Sequence, residues 1–276
     1  MDEGASSSLS PADRRTARLA EREALRRQWR AAGWYGDATI GEAIAAGARE
    51  RPHDRIVFEQ THGGTADLTL SELVRRADAT ARRLRAVGIG PGDAVVVQSP
   101  ADAAGVEVLA ALWLLGALAV PLVATAGPDE IDLAIAETGA RVMITAQPVA
   151  FVPGTNATGS GGHCELVLSI GDAPASAGVL ALGDVEPSTD GSATALIDPA
   201  SVACVLYTSG STGVPKGVQH SHETLLAGIA FAGADPDSRT LTSFPAGHVA
   251  SILGLLRPFT SGGLTVVLDR WSARRA

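Results

Sequence analysis

Short apolar runs of strand length alternate along this chain with longer stretches of helical pattern, and turn residues separate them. Ser10-Pro11-Ala12-Asp13 reads as a capping box with proline at the first helical position, opening a helix to about Trp29. Its inward positions are expected to be Ala17, Ala20, Ala24, Leu25 and Trp29. Segment 32–37 breaks that helix, and residues 39–50 form a second. A strand is expected over 55–59, then a helix from the Leu68-Thr69-Leu70-Ser71-Glu72-Leu73 entry to about Val87. Past the turn Gly88-Ile89-Gly90-Pro91-Gly92-Asp93 comes a strand over 94–98. The nearly all-apolar run 106–126 divides at Gly116 into a helix over 105–115 and a strand over 117–123; a membrane span is the alternative reading. Val202-Ala203-Cys204-Val205-Leu206, bounded by Asp198-Pro199 and Gly210, has the length of a buried strand. Residues 218–220 read as a short returning strand, and Ser221 caps a helix through Ile229. Strand 240–244, helix 249–259 and strand 264–268 follow. This alternation predicts a layered α/β fold with largely parallel sheets.

Composition narrows the function classes. Hydrophobic content of 46% and a net charge of −8 describe an acidic globular protein with a sizeable core. Without a basic face to release counterions, nucleic acid is not expected as a partner. The seven arginines between Arg14 and Arg30 make the first helix basic, and it is expected to be a solvated helical arm over residues 1–32. Cys164 and Cys204 stand in unrelated contexts without metal spacing, which suits a reduced, cytoplasmic setting, and Cys204 is expected in the core. The polar, acidic first ten residues do not read as a secretory signal. Stretches 153–162 and 183–194 are rich in small and polar residues and read as surface loops, so the region 153–194 is expected to be loop-rich.

The candidate chemistry lies after strand 202–206, in Tyr207-Thr208-Ser209-Gly210-Ser211-Thr212-Gly213-Val214-Pro215-Lys216-Gly217. Glycines allow a loop to turn backbone N–H groups toward an anion, and the hydroxyls add donors. Lys216 is the only lysine in 276 residues. A compact ammonium on a flexible stem can follow a moving polyphosphate, where a guanidinium would hold it in a planar fork. This is not the Walker A pattern, which needs Lys-Ser/Thr opening straight into a helix. Here the order is strand, loop, strand, helix.

At these residues the chain resembles the AMP-forming acyl-CoA synthetase and adenylate-forming ligase superfamily, whose signature loop has nearly this sequence. The Leu-Thr-Leu-Ser-Glu-Leu entry, the Gly88–Asp93 turn and the helix–strand unit over 130–145 also resemble that family. Leu70 replaces the family's usual tyrosine, and Pro100-Ala101 its Pro-Asn. The resemblance implies ATP-dependent activation of a small-molecule carboxylic acid to an acyl-adenylate and pyrophosphate. ATP, Mg²⁺ and coenzyme A are the implied cofactors and co-substrate. By the same resemblance Thr208, Ser209, Ser211 and Thr212 hold phosphate oxygens, and Gly210, Gly213 and Gly217 permit the loop conformation. Lys216 neutralises β/γ-phosphate charge and Thr212 reaches Mg²⁺, so these two are the expected catalytic residues. His222 is expected to order the loop. His248, in Pro245-Ala246-Gly247-His248, is placed beside the acyl pocket; a histidine capping the next helix is the alternative.

The likeness spans about 34–271 and corresponds to the N-terminal part of the family's length. Residues 33–276 are therefore expected to form an incomplete N-terminal adenylation domain, with the small C-terminal domain absent. The family's Tyr-Gly-x-Thr-Glu and Thr-Gly-Asp motifs do not occur after Gly217. Lacking those groups, the chain by itself is expected to adenylate little. An inactive remnant, or half of a split enzyme completed by a partner chain, is the alternative to a truncated acid–CoA ligase.

Overall fold

The computed structural model describes residues 10–60, 64–148, 164–171, 178–190, 194–208, 213, 215–233, 235, 237–271 and 273. The chain divides into a unit ending at Asp37 and a larger one over Ala38–Ala276. In the first unit, helix α1 (Pro11–Ala31) starts as its sequence dictates. The Ser10 hydroxyl accepts from the Asp13 amide at 3.1 Å, and the Asp13 carboxylate accepts from the Ser10 amide. The expected inward face is not formed: Ala17, Ala20, Ala24 and Leu25 are exposed, and of the five positions only Trp29 is partly covered. So many arginines leave α1 no apolar stripe wide enough to pack. Trp29 instead meets Tyr35 edge-on at 5.4 Å, and Arg30 pairs with Asp37 at 2.6 Å.

The larger unit carries two sheets. Its elements are α2 (Ile40–Glu50), β1 (Arg55–Gln60), β2 (Gly64–Thr69), α3 (Leu70–Ala86), β3 (Ala94–Gln98), α4 (Ala103–Leu115), β4 (Leu118–Leu122), α5 (Pro128–Thr138) and β5 (Val142–Thr145). There follow β6 (Leu166–Ser169), β7 (Val179–Ala181), a 3₁₀ turn (Leu182–Asp184), β8 (Val202–Thr208), β9 (Lys216–Ser221), α6 (His222–Phe231), β10 (Arg239–Thr242), α7 (Val249–Ser261) and β11 (Leu264–Leu268). The seven-stranded sheet has the order β7-β6-β5-β3-β4-β8-β9, parallel except for β9; the four-stranded sheet is β10-β11-β1-β2, parallel except for β2.

Strand periodicity explains why both faces of the larger sheet are covered. Val95, Val97, Val142, Ile144, Leu168, Cys204 and Leu206 face one core, shared with α2, α3, α4, α6 and α7. Their neighbours Val96, Val120, Met143, Val167 and Val205 face the other, packed on Ile131, Ala134 and Ile135 of α5. Alternate residues point to opposite faces, so strands buried on both sides read as continuous apolar runs. The run 106–126 is α4 plus β4, and no helix among the described residues is long and apolar enough to cross a membrane. Cys204 is fully buried, as expected. Two differences stand out. The segment read as loop-rich, 153–194, contributes β6 and β7 to the sheet, while the patch 153–162 lies outside the described residues. Strand β2 was not foreseen, because its mostly exposed residues lack an apolar run and it forms through antiparallel pairing with β1.

Candidate active site

The order β5-β3-β4 sets the site. Strand β3 leads through α4 to β4 on one side, and β4 leads through α5 back across to β5 on the other. Such a reversal opens a crevice beyond the carboxyl ends of the central strands. Gln98, the last residue of β3, holds the chain after β4 there: its amide nitrogen donates to the Ala126 carbonyl at 3.0 Å, and its oxygen accepts from Thr145 Oγ1 at 3.0 Å. Ser99, Pro100 and Ala101 after β3, and Val123, Ala124 and Thr125 after β4, line a cavity of about 340 Å³. Pro245, Ala246, Asp269 and Arg270 close it from the ends of β10 and β11. Asp102, which caps α4 by accepting from the Gly105 amide at 2.8 Å, sits half-covered nearby. Burial pushes its carboxyl up, the Gly105 hydrogen bond opposes this, and the negative charge of Asp269 adds to the rise.

The glycine-rich loop joins β8 to β9. Thr208 stands opposite Lys216 and Tyr207 opposite Gly217 in the antiparallel ladder, so β9 begins at Lys216 itself. Gly213 has φ +85°, a conformation open to glycine. Thr208 and Lys216 are exposed, and no ion pair among the described residues engages Lys216. Ser209, Gly210, Ser211 and Thr212 lie outside the described residues. Below the loop, Tyr207 and Pro215 share a narrow cleft of about 100 Å³ with Pro121, Leu122, Val123 and Gly247. The stem of the loop and the Pro245–His248 turn therefore meet over the end of β4. Gly247 makes this approach possible, since a Cβ there would lie 3.1 Å from the Pro121 carbonyl oxygen.

His248 takes the alternative role foreseen for it, as the cap of the following helix. Its Nδ1 accepts from the Ala250 amide at 3.1 Å, capping α7, so the neutral ring carries its proton on Nε2. The exposed ring also stacks on Phe244, with centroids 5.1 Å apart and planes inclined by 15°. His222 lies elsewhere. It is fully buried, and its Nδ1 accepts from the Ile40 amide at 3.2 Å, tying α6 to α2 rather than to the loop. Among the described residues no group of three or more His, Cys, Asp and Glu side chains is placed to hold a metal ion.

Sequence reading missed Gln98, Asp102, Asp269 and Glu137, whose carboxylate accepts from the Tyr207 hydroxyl at 3.0 Å. Gln98-Ser99-Pro100 carried a usable signal, a polar residue closing an apolar strand just before proline. Glu137 carried none, being one of several acidic residues on α5.

Comparison with known proteins fits this geometry. Feruloyl-CoA synthase of an Amycolatopsis species is 33% identical over 228 residues, covering 80% of this chain and 42% of that protein. Among solved structures, the o-succinylbenzoate CoA synthetase MenE of Bacillus subtilis, in complex with AMP, superposes with a TM-score of 0.66 at 19% identity, covering 87% of this chain and 58% of that one. The N-terminal domain of FACL13 from Mycobacterium tuberculosis gives 0.65 at 20%, covering 86% and 58%. The fold is thus that of the N-terminal part of adenylate-forming ligases, and the chain spans about two-fifths of the length of the feruloyl-CoA synthase it matches. With its residues 44–276 matching the AMP-binding enzyme family, this chain belongs to that family.

Proposed function

We propose that this chain supplies the nucleotide-phosphate and acid-binding part of an AMP-forming acid ligase. In the reaction a carboxylate oxygen attacks the α-phosphorus of ATP, the α–β phosphoanhydride breaks, and acyl-adenylate and pyrophosphate form. Coenzyme A is the proposed acceptor, its thiol displacing AMP to give the thioester. The observation that carries this reading is the β8–β9 hairpin, which carries Lys216 opposite Thr208 at the carboxyl end of β8, with no ion pair to it among the described residues, in a chain of the AMP-binding family. Lys216 neutralises charge on the departing pyrophosphate, and the backbone and hydroxyls of Thr208, Ser209, Ser211 and Thr212 orient its oxygens. Gly210, Gly213 and Gly217 would leave room for that backbone, and Thr212 would be the residue to hold Mg²⁺, whose charge would offset that of the phosphates. His248 and Phe244 offer a flat aromatic wall beside the acid, which favours aryl acids. The names of the feruloyl and o-succinylbenzoate enzymes point to the same class.

Two measurements on the purified chain separate binding from turnover. Calorimetric titration with MgATP should show binding in the wild type, weakened about 10- to 100-fold in Lys216→Ala, as expected for loss of a charge-assisted contact worth roughly 1.5–3 kcal/mol. Carboxylate-dependent exchange of labelled pyrophosphate into ATP, across aryl and fatty acids, reads adenylation itself. A folded wild type that does not bind MgATP, or binds it equally after Lys216→Ala, would overturn the reading.

A further inference from the structure

We infer that Glu137 is a positioning residue for the phosphate loop, acting through Tyr207; this rests on the function proposed above. Glu137 lies in the last turn of α5, on the face of the sheet opposite α4, and reaches across to the strand that feeds the loop. Its Oε2 accepts from the Tyr207 hydroxyl at 3.0 Å. Tyr207 precedes the loop by one residue and stands opposite Gly217, which follows Lys216. A Cβ added at Gly217 would come within 3.0 Å of Val205 Cγ1, 3.4 Å of Tyr207 Cζ and 3.5 Å of Glu137 Oε2. The carboxylate, the phenol and the bare Gly217 backbone thus lie together at the exposed stem of the hairpin, next to the lysine in sequence. The same Tyr207 borders the narrow cleft shared with Pro215 and Gly247.

The physical effect is on the loop's entropy. Fixing the backbone of glycine-containing segments so that N–H groups face an anion costs conformational freedom. Beyond the backbone ladder, other side-chain support at the stem is slight: Thr208 Oγ1 reaches the Lys216 carbonyl only at 3.4 Å, and Thr208 and Lys216 are exposed. A hydrogen bond from phenol to carboxylate is charge-assisted and directional, so it fixes the Tyr207 ring and, through the ladder, the backbone at Gly217 and Lys216. Burial, and secondarily the Glu137 carboxylate, push the Tyr207 phenol well above its usual range, so it remains a donor at every working pH. Glu137 does not touch the reacting atoms. It lowers the cost of organising the groups that do.

Hydrogen exchange over peptides spanning 205–220, read without nucleotide, tests the contact directly. Glu137→Ala and Tyr207→Phe should each raise exchange there about threefold or more, the double variant no further than either single one. Glu137→Gln keeps an acceptor and should restore most of the protection. With MgATP, the same two variants should weaken binding about three- to tenfold without changing the midpoint of urea unfolding by a matching amount. Unchanged exchange at 205–220 in both Glu137→Ala and Tyr207→Phe would overturn the inference. Failure of the wild type to bind MgATP would overturn the proposed function and leave the exchange result to decide the contact.

Discussion

His222 shows how one residue ties the hairpin to the rest of the domain. It follows β9 directly, is fully buried, and accepts the amide of Ile40 on Nδ1. The proton must then sit on Nε2, which is buried and has no partner among the described residues. Burial pushes its pKa down to about 4, with the Glu42 carboxylate acting weakly in the other direction. Between about pH 6.5 and 4 the unfolded chain binds a proton at this site that the folded chain excludes, so stability falls as pH drops through that window and is level above it. The expected loss from this group is about 2 kcal/mol between pH 7 and pH 5. Urea unfolding at the two pH values should show it in the wild type and show a difference smaller by about that amount in His222→Gln. An equal slope in both proteins would mean that His222 is not the group responsible.

At the scale of elements, α4 is the beam under the site. It is buried along most of its length and runs beneath the β3–β4 reversal that opens the crevice. Trp113 extends its reach to the phosphate-loop strand: the indole N–H donates to the Ala203 carbonyl of β8 at 3.1 Å, ninety residues away. Since β8 pairs with β4 only around Ala119 and Cys204, this bond is a main fixture of β8 on its parallel side. Trp113→Phe keeps an aromatic ring but strands a buried carbonyl, and should lower stability by about 1–3 kcal/mol in urea unfolding. Its effect should reach the hairpin, seen as faster hydrogen exchange in β8, while β1 and β11 of the other sheet stay protected.

For the whole molecule, the relevant feature is where the two sheets end. Strand β10 is an edge of one and β9 an edge of the other, and Leu241 and Val218 on them are each about two-fifths exposed. An edge strand that exposes an apolar side chain beside unpaired backbone groups is a template for pairing with another chain. Sedimentation of the wild type should therefore show association that grows with concentration, and Leu241→Lys should shift it toward monomer without changing MgATP affinity. A strictly monomeric wild type would show that this edge is protected.

Local patterns in the sequence determined a good part of this protein. The bounds of β3 and β11 and the capping box at Ser10 follow from neighbouring side chains and backbone sterics, and all were legible in the chain. So were the strand–loop–strand–helix order around Lys216, and the family it implied, because a glycine- and hydroxyl-rich loop with a lone lysine is a contiguous signal. Tertiary structure decided the rest. Strands β2, β6 and β7, of which β2 and β7 are sheet edges, form by pairing, which an exposed or short segment does not announce. The arginine-rich α1 had a readable start but no buried face. Only the strand order brings the Pro245–His248 turn over β4, and only the fold carries Glu137 to Tyr207 across seventy residues and Ile40 to His222 across 182. Caps and short apolar runs are written between near neighbours, whereas these contacts exist only once distant segments are packed side by side.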